Sequence, residues 1–161
     1  YPEIAKRAKA EKAEIYWGDE TGIQTGANVE KGCSPKGKTP VLRQTAQKHR
    51  INMISAITNQ GKVSKVYLIL DNLKVHHSEL VKRWLTKHKA EIEVFYLPSY
   101  SPELNPDEYL NNSLKGKVHS GVRAQNKEQL ETKIRAHIRH LQNNRSKTKK
   151  FFEHRCVSYA A

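Results

Sequence analysis

The stretch "VSKVYLILDN" (63–72) constrains this chain more than any other. Its apolar residues run on without alternation, so both faces call for cover, the pattern of a central strand in a parallel sheet. A parallel neighbour requires a crossover of a dozen or more residues. The chain supplies one in "SELVKRWLTKHK" (78–89), an amphipathic segment with Leu80, Val81, Trp84, Leu85 and His88 on one stripe and Ser78 as N-cap. On that stripe Trp84 is expected to be a core residue. "IEVFYL" (92–97) is then a further β segment.

Upstream, "EIYWGDE" (14–20) reads as a short strand ending in acids, and "INMISAITN" (51–59), apolar and β-branched, as a buried strand. "GCSPKGKTP" (32–40) between them is a basic turn-rich loop. "PSYSPELNP" has prolines at 98, 102 and 106 and is expected to be a rigid loop, neither helix nor ladder. A helix restarts at Pro106 with Asn105 as its cap. Another spans 126–141, with Leu130, Ile134, His137, Ile138 and Leu141 at helical spacing and Asn126 with Gln129 as a capping box. The order strand, strand, strand, helix, strand, helix, helix predicts an α/β domain with a mixed sheet. Residues 3–13 read as a polar helix after Pro2 with little to bury, hence a linker.

At 161 residues the chain is about one domain long. No apolar stretch approaches the ~20 residues of a membrane span, and the polar N-terminus has no secretory character. Cys33 and Cys156 are far apart and form no CxxC pair, which fits a reducing compartment. Lysine and arginine number 29 against 16 aspartates and glutamates, a net charge of +13. From Lys115 to Arg155 there are 12 basic and 3 acidic residues, so +9 of it lies there. A field that uneven attracts polyanions, nucleic acid first among them. A merely solvated basic surface accounts for a milder excess.

Three acids fall in comparable places. Asp19 and Asp71 end strands, and Glu108 lies in the first turn of the helix after the proline loop. In open α/β sheets the site forms beyond the carboxyl ends of parallel strands, where such residues can converge. Clustered carboxylates repel and raise one another's pKa, a penalty that divalent cations remove. Singly, each acid also has an ordinary reading: a strand-end turn, an Asx-turn, and a favourable charge at a helix N-terminus.

In order, "GDE", "ILDN" and "YSPELNPDEYL" resemble the catalytic blocks of the mariner-like superfamily of DDE transposases, most closely its bacterial insertion-sequence branch. The proline block, placing Glu108 37 residues after Asp71, is the specific part. The resemblance implies a ribonuclease H-like mixed sheet flanked by helices, with Asp19, Asp71 and Glu108 as catalytic residues and ligands of two Mg²⁺ (or Mn²⁺) ions. It leaves out the neighbours Glu20 and Asp107. It further implies nicking at transposon ends, attack of the freed 3′-hydroxyl on target DNA, a homodimer, no small-molecule substrate, and a cytoplasmic, nucleoid-associated location. Residues 1–13 would then be a linker from an N-terminal DNA-binding region, and 14–161 the catalytic domain.

Asn72, His76, Lys115, Lys117 and Arg123 are candidate DNA contacts. His76 and His77 suggest zinc, but no Cys or His partner stands at ligand spacing. One departure concerns the fold. A sheet of this type has a third antiparallel strand and a crossover helix before the strand bearing the second acid, and only about four to six residues separate "INMISAITN" from "VSKVYLILDN". The chain is thus expected to be shortened near 60–65, lacking one edge strand and the crossover helix, with an exposed edge and an uncovered sheet face. Two readings from different classes follow: an active transposase domain, or an inactive remnant that binds DNA non-specifically. Another nuclease of the same fold fits the acids but leaves the proline block unexplained.

Overall fold

The structure, a computed structural model, describes residues 1–26, 34–38, 47–58 and 65–161. The shortening near 60–65 falls largely outside these residues. Helix α1 (Pro2–Glu11) leads into β1 (Ala13–Gln24), followed by β2 (Arg50–Ile57) and β3 (Lys65–Leu70). Helix α2 (Glu79–Lys87) crosses to β4 (Ile92–Tyr96), and α3 (Pro106–His119), α4 (Lys127–Gln142) and α5 (Arg145–Lys150) complete the order. The strands form one sheet in the order β2-β1-β3-β4, with β2 antiparallel to β1 and the other pairs parallel. β3 is therefore the inner parallel strand its apolar run requires.

Period-two alternation assigns the faces. Ile15 and Trp17 of β1, Ile57 of β2, and Tyr67 and Ile69 of β3 are buried in one cluster with Leu110 of α3, Leu141 of α4 and Phe152. Trp17 meets the Phe152 ring edge-on at 5.3 Å. Further along, Ile23 joins Leu114 and Val118 of α3 with Leu130 and Ile134 of α4. Both predicted caps are present: Asn105 Oδ1 accepts from Asp107 N at 3.0 Å, and Asn126 Oδ1 from Gln129 N at 2.9 Å. The N-terminal helix buries more than its composition suggests. Ala8 is in the core, Ile4 and Ala5 pack against it, and Arg7 and Lys65 form ion pairs with Glu11 and Glu93.

The opposite face is thinly covered. Among the described residues β2 is not a buried strand but the sheet's edge, alternating exposed and half-buried as far as its one buried residue, Ile57, with Ile54 80% exposed. The residues that make it read as buried lie half toward α3 and α4 and half toward solvent. Leu68 and Leu70 are only half-buried and lean across Gly18, where a Cβ would stand 2.8 Å from Leu70 Cδ2. The expected core residue Trp84 is 51% exposed and stacks on His88, and Leu80 is 77% exposed. Only Val81, Leu85 and His88 of that stripe turn inward, because α2 lies against a single strand rather than a closed layer.

Two further expectations are corrected. β1 continues five residues past Asp19, because β2 goes on pairing with it as far as Gln24↔Arg50. Asp19 is thus interior to its strand. Within the proline loop, Pro102–Leu104 forms a short 3₁₀ turn, since proline is tolerated where the turn begins. Among the described residues no helix is long and apolar enough to cross a membrane.

Candidate active site

Parallel pairing of β1 with β3 ends at Trp17↔Ile69. Two residues further along each strand stand Asp19 and Asp71, so the register brings them level where the two strands separate. Glu108 arrives from the first turn of α3, and the way that turn is docked explains its position. Asn105 Nδ2 donates to Gly18 O at 3.0 Å, Ser55 Oγ to Asp107 Oδ2 at 2.6 Å, and Asn111 Nδ2 to Asp19 Oδ2 at 2.8 Å. Asn105, Asp107 and Asn111 are all buried. The start of α3 is thereby tied to β1 immediately before and at the first acid, and to β2 beside it.

The three acids line one cleft of about 450 Å³, with Asn72, Lys74 and Ser99 on its rim. Asp19 and Glu108 each feel the charges of the other acids. Burial pushes the Asp19 carboxyl up, and Asp71 adds to this, while hydrogen bonds from the Glu20 amide and Asn111 oppose it. Burial likewise raises Glu108, followed by the charges of Asp19 and Asp71, with Lys115 acting in the opposite sense. Asp19 and Glu108 are close enough to hydrogen-bond to each other. Asp107, next to the cleft, is pushed up to about 7, mainly by burial.

The histidine pair stands behind this site. His76 Nε2 lies 3.0 Å from Asp71 Oδ1, and His77 Nε2 lies 2.7 Å from Asn72 Oδ1. Asn72 Nδ2 donates in turn to Ser99 Oγ at 3.2 Å, and the His77 ring lies over Tyr96 at 4.2 Å. Each histidine thus fixes one residue of "DN". Among the described residues, no three acidic, histidine or cysteine side chains already stand in ligating position about one point. The donor chemistry nonetheless suits a hard divalent cation: three carboxylates face one cleft, and Lys115, Asn111 and His76 each offset only one of them.

Of the remaining candidates, Lys115 lies on the Glu108 side of α3, Lys117 lines a different cleft, and Arg123 is half-buried in the α3–α4 connection. Sequence reasoning passed over Asn111 and Asp107. Their signal was available, since they fall three residues after and one before Glu108, as polar residues on the side that carries Leu110, Leu114 and Val118 inward.

In this topology one aspartate interior to β1, one just past the end of β3 and a helix-borne glutamate share a single cleft. The family model described as "DDE superfamily endonuclease" matches residues 14–64 and 60–131, and the chain belongs to that family. No curated protein gives a significant match. Solved structures share the fold at 16% identity. A Mos1 transposase paired-end complex with left transposon end superposes with a TM-score of 0.61 over 99% of this chain and 59% of that one. The Mos1 mariner paired end complex with Mn gives 0.59, covering 99% and 60%, and the Mos1 strand transfer complex 0.57, covering 99% and 58%. The chain therefore spans about 60% of the length of the structures it matches.

Proposed function

We propose that this chain is the catalytic domain of a DNA transposase, cutting phosphodiester bonds at transposon ends and joining the freed 3′-hydroxyl to target DNA. The observation that carries the proposal is the meeting of Asp19, Asp71 and Glu108 in one cleft at the point where β1 and β3 separate. Family membership and the fold shared with the Mos1 transposase complexes, one of them with Mn, support it. These three residues would hold the divalent ions, Mg²⁺ or Mn²⁺, which would offset their repulsion and polarise the phosphoryl oxygen under attack.

The protein's own groups have definable tasks. Asn111 holds the Asp19 carboxylate, His76 holds Asp71, Asn72 lines the cleft where a scissile phosphate would be received, and Lys115 adds positive charge near Glu108. We assign residues 1–13 as the connection to an upstream DNA-binding region, residues 14–161 as the catalytic domain, and a homodimer as the working form on DNA near the nucleoid.

Incubating the protein with duplexes carrying terminal repeats, with Mg²⁺ or Mn²⁺, tests the assignment. Strand cleavage is expected, and Asp71→Ala should reduce it by at least 10³-fold; cleavage that persists in that variant refutes the triad. The second reading, a remnant that binds DNA without cutting it, is favoured by one observation, the uncovered β2 edge with its exposed Ile54. Calorimetric detection of divalent-ion binding that is lost in Asp71→Ala decides against that reading.

A further inference from the structure

Helix α3 borders a second cleft on its other side. At about 100° per residue, Ser113 and Lys117 point roughly 140° and 180° away from Glu108. There they border a cleft of about 940 Å³ between α3, α4 and α5. Lys117, Lys133, His137, His140, Lys147 and Lys150 line it, and among the described residues no aspartate or glutamate does.

The interior bonds of this cleft show which charges are already committed. Lys133 Nζ donates to Val118 O at 3.0 Å and Ser120 O at 3.2 Å, closing the end of α3. His137 Nε2 lies 3.2 Å from Ser113 Oγ, and Lys147 Nζ lies 2.8 Å from His140 Nε2. Lys117, Lys147 and Lys150 take part in none of the ion pairs found among the described residues. His137 registers the resulting field: burial lowers its pKa first, and the charges of His140, Lys117 and Lys147 lower it further.

We propose that the cleft between α3, α4 and α5 is a DNA-backbone site, separate from the three acids, that grips duplex phosphates through Lys117, Lys147 and Lys150. Lysines are compact point charges that neutralise phosphate without the planar fork that reads bases. Drawn from three helices with no carboxylate among them, they suit a repeating polyanion and sequence-independent contact. The duplex held here lies behind α3 from the bond being cut, so the site anchors DNA rather than presenting it. The proposal rests on the transposase reading only in taking DNA as the ligand.

The test measures binding of a 20-base-pair duplex lacking any transposon end, by fluorescence anisotropy in EDTA, over a range of salt concentrations. The variant Lys117→Gln/Lys147→Gln/Lys150→Gln leaves Lys133 in place, and circular dichroism checks that it is folded. Each lost phosphate contact removes about 0.9 from the slope of log K against log salt, so the slope should become shallower by about 2 to 3. Affinity at moderate salt should fall at least tenfold. A control variant, Lys6→Gln/Lys9→Gln/Lys89→Gln, removes the same charge from other exposed positions and should change both quantities much less. Equal losses in the two variants, an unchanged slope in the first, or tighter binding of single-stranded RNA than of the duplex overturns the proposal. The two readings fail separately: loss of binding in the cleft variant of a protein that never cleaves end DNA leaves the cleft standing and removes the transposase.

Discussion

Asn105 is where a single side chain holds the most structure in place, and its replacement gives the sharpest test of how the site is built. It is 1% exposed; its Oδ1 caps α3 through Asp107 N, and its Nδ2 satisfies Gly18 O on β1, both at 3.0 Å. Asn105→Ala removes a helix cap, worth about 1 kcal/mol. It also strands a buried carbonyl, at about 1–3 kcal/mol. The combined loss is about 2–4 kcal/mol, a large share of the roughly 5–15 kcal/mol that stabilises a domain. Asn105→Ser separates the two parts, because serine caps about as well as asparagine but cannot reach Gly18 O, so only the second loss of about 1–3 kcal/mol should remain. Urea unfolding of the three proteins at one pH measures both differences. Stability should fall in the order Asn, Ser, Ala. An Asn105→Ala protein within about 0.5 kcal/mol of the parent refutes the docking of α3 described above, since that is the range of an inconsequential surface change.

Asp107 gives a pH prediction. Its folded pKa of about 7 lies above the ordinary carboxylate value, so folding favours the protonated form and stability falls as pH rises from about 4 to 7. In EDTA, Asp107→Asn should therefore gain relative to the parent on going from pH 4 to pH 8, by up to about 4 kcal/mol at 1.36 kcal/mol per pKa unit; a pH-independent difference contradicts the raised pKa. At the exposed β2 edge, Ile54→Thr should change stability by less than about 0.5 kcal/mol while lowering self-association in sedimentation, because it removes an exposed apolar side chain from an edge strand. Unchanged association would place the sticky surface elsewhere.

What could be read in advance, and what could not, follows from the range of the forces involved. The strand delivering Asp71, the caps Asn105 and Asn126, and the buried stripe Leu130, Ile134 and Leu141 are local patterns, written within one or two turns or one strand. The choice of Asp19, Asp71 and Glu108 as candidates also came from local blocks of residues. β2 and α2 were misjudged because apolar content says a segment can be buried, not that a neighbour exists to bury it. Ile54, Leu80 and Trp84 lie where the thinly covered face leaves them open to solvent. Asp107 and Asn111 were overlooked because their partners, Ser55 and Asp19, are 52 and 92 residues away in sequence. No periodicity reports such a contact.

The separation of β1 from β3 after Trp17 also leaves a strand's hydrogen-bonding edge without its neighbour. Gly18 stands immediately past the last β1–β3 pair. Its carbonyl finds a side chain instead, accepting from Asn105 Nδ2. The frayed edge therefore acts as a socket. That vacancy seats the helix that carries Glu108, so the place where the sheet stops being continuous is also where the third acid joins the other two.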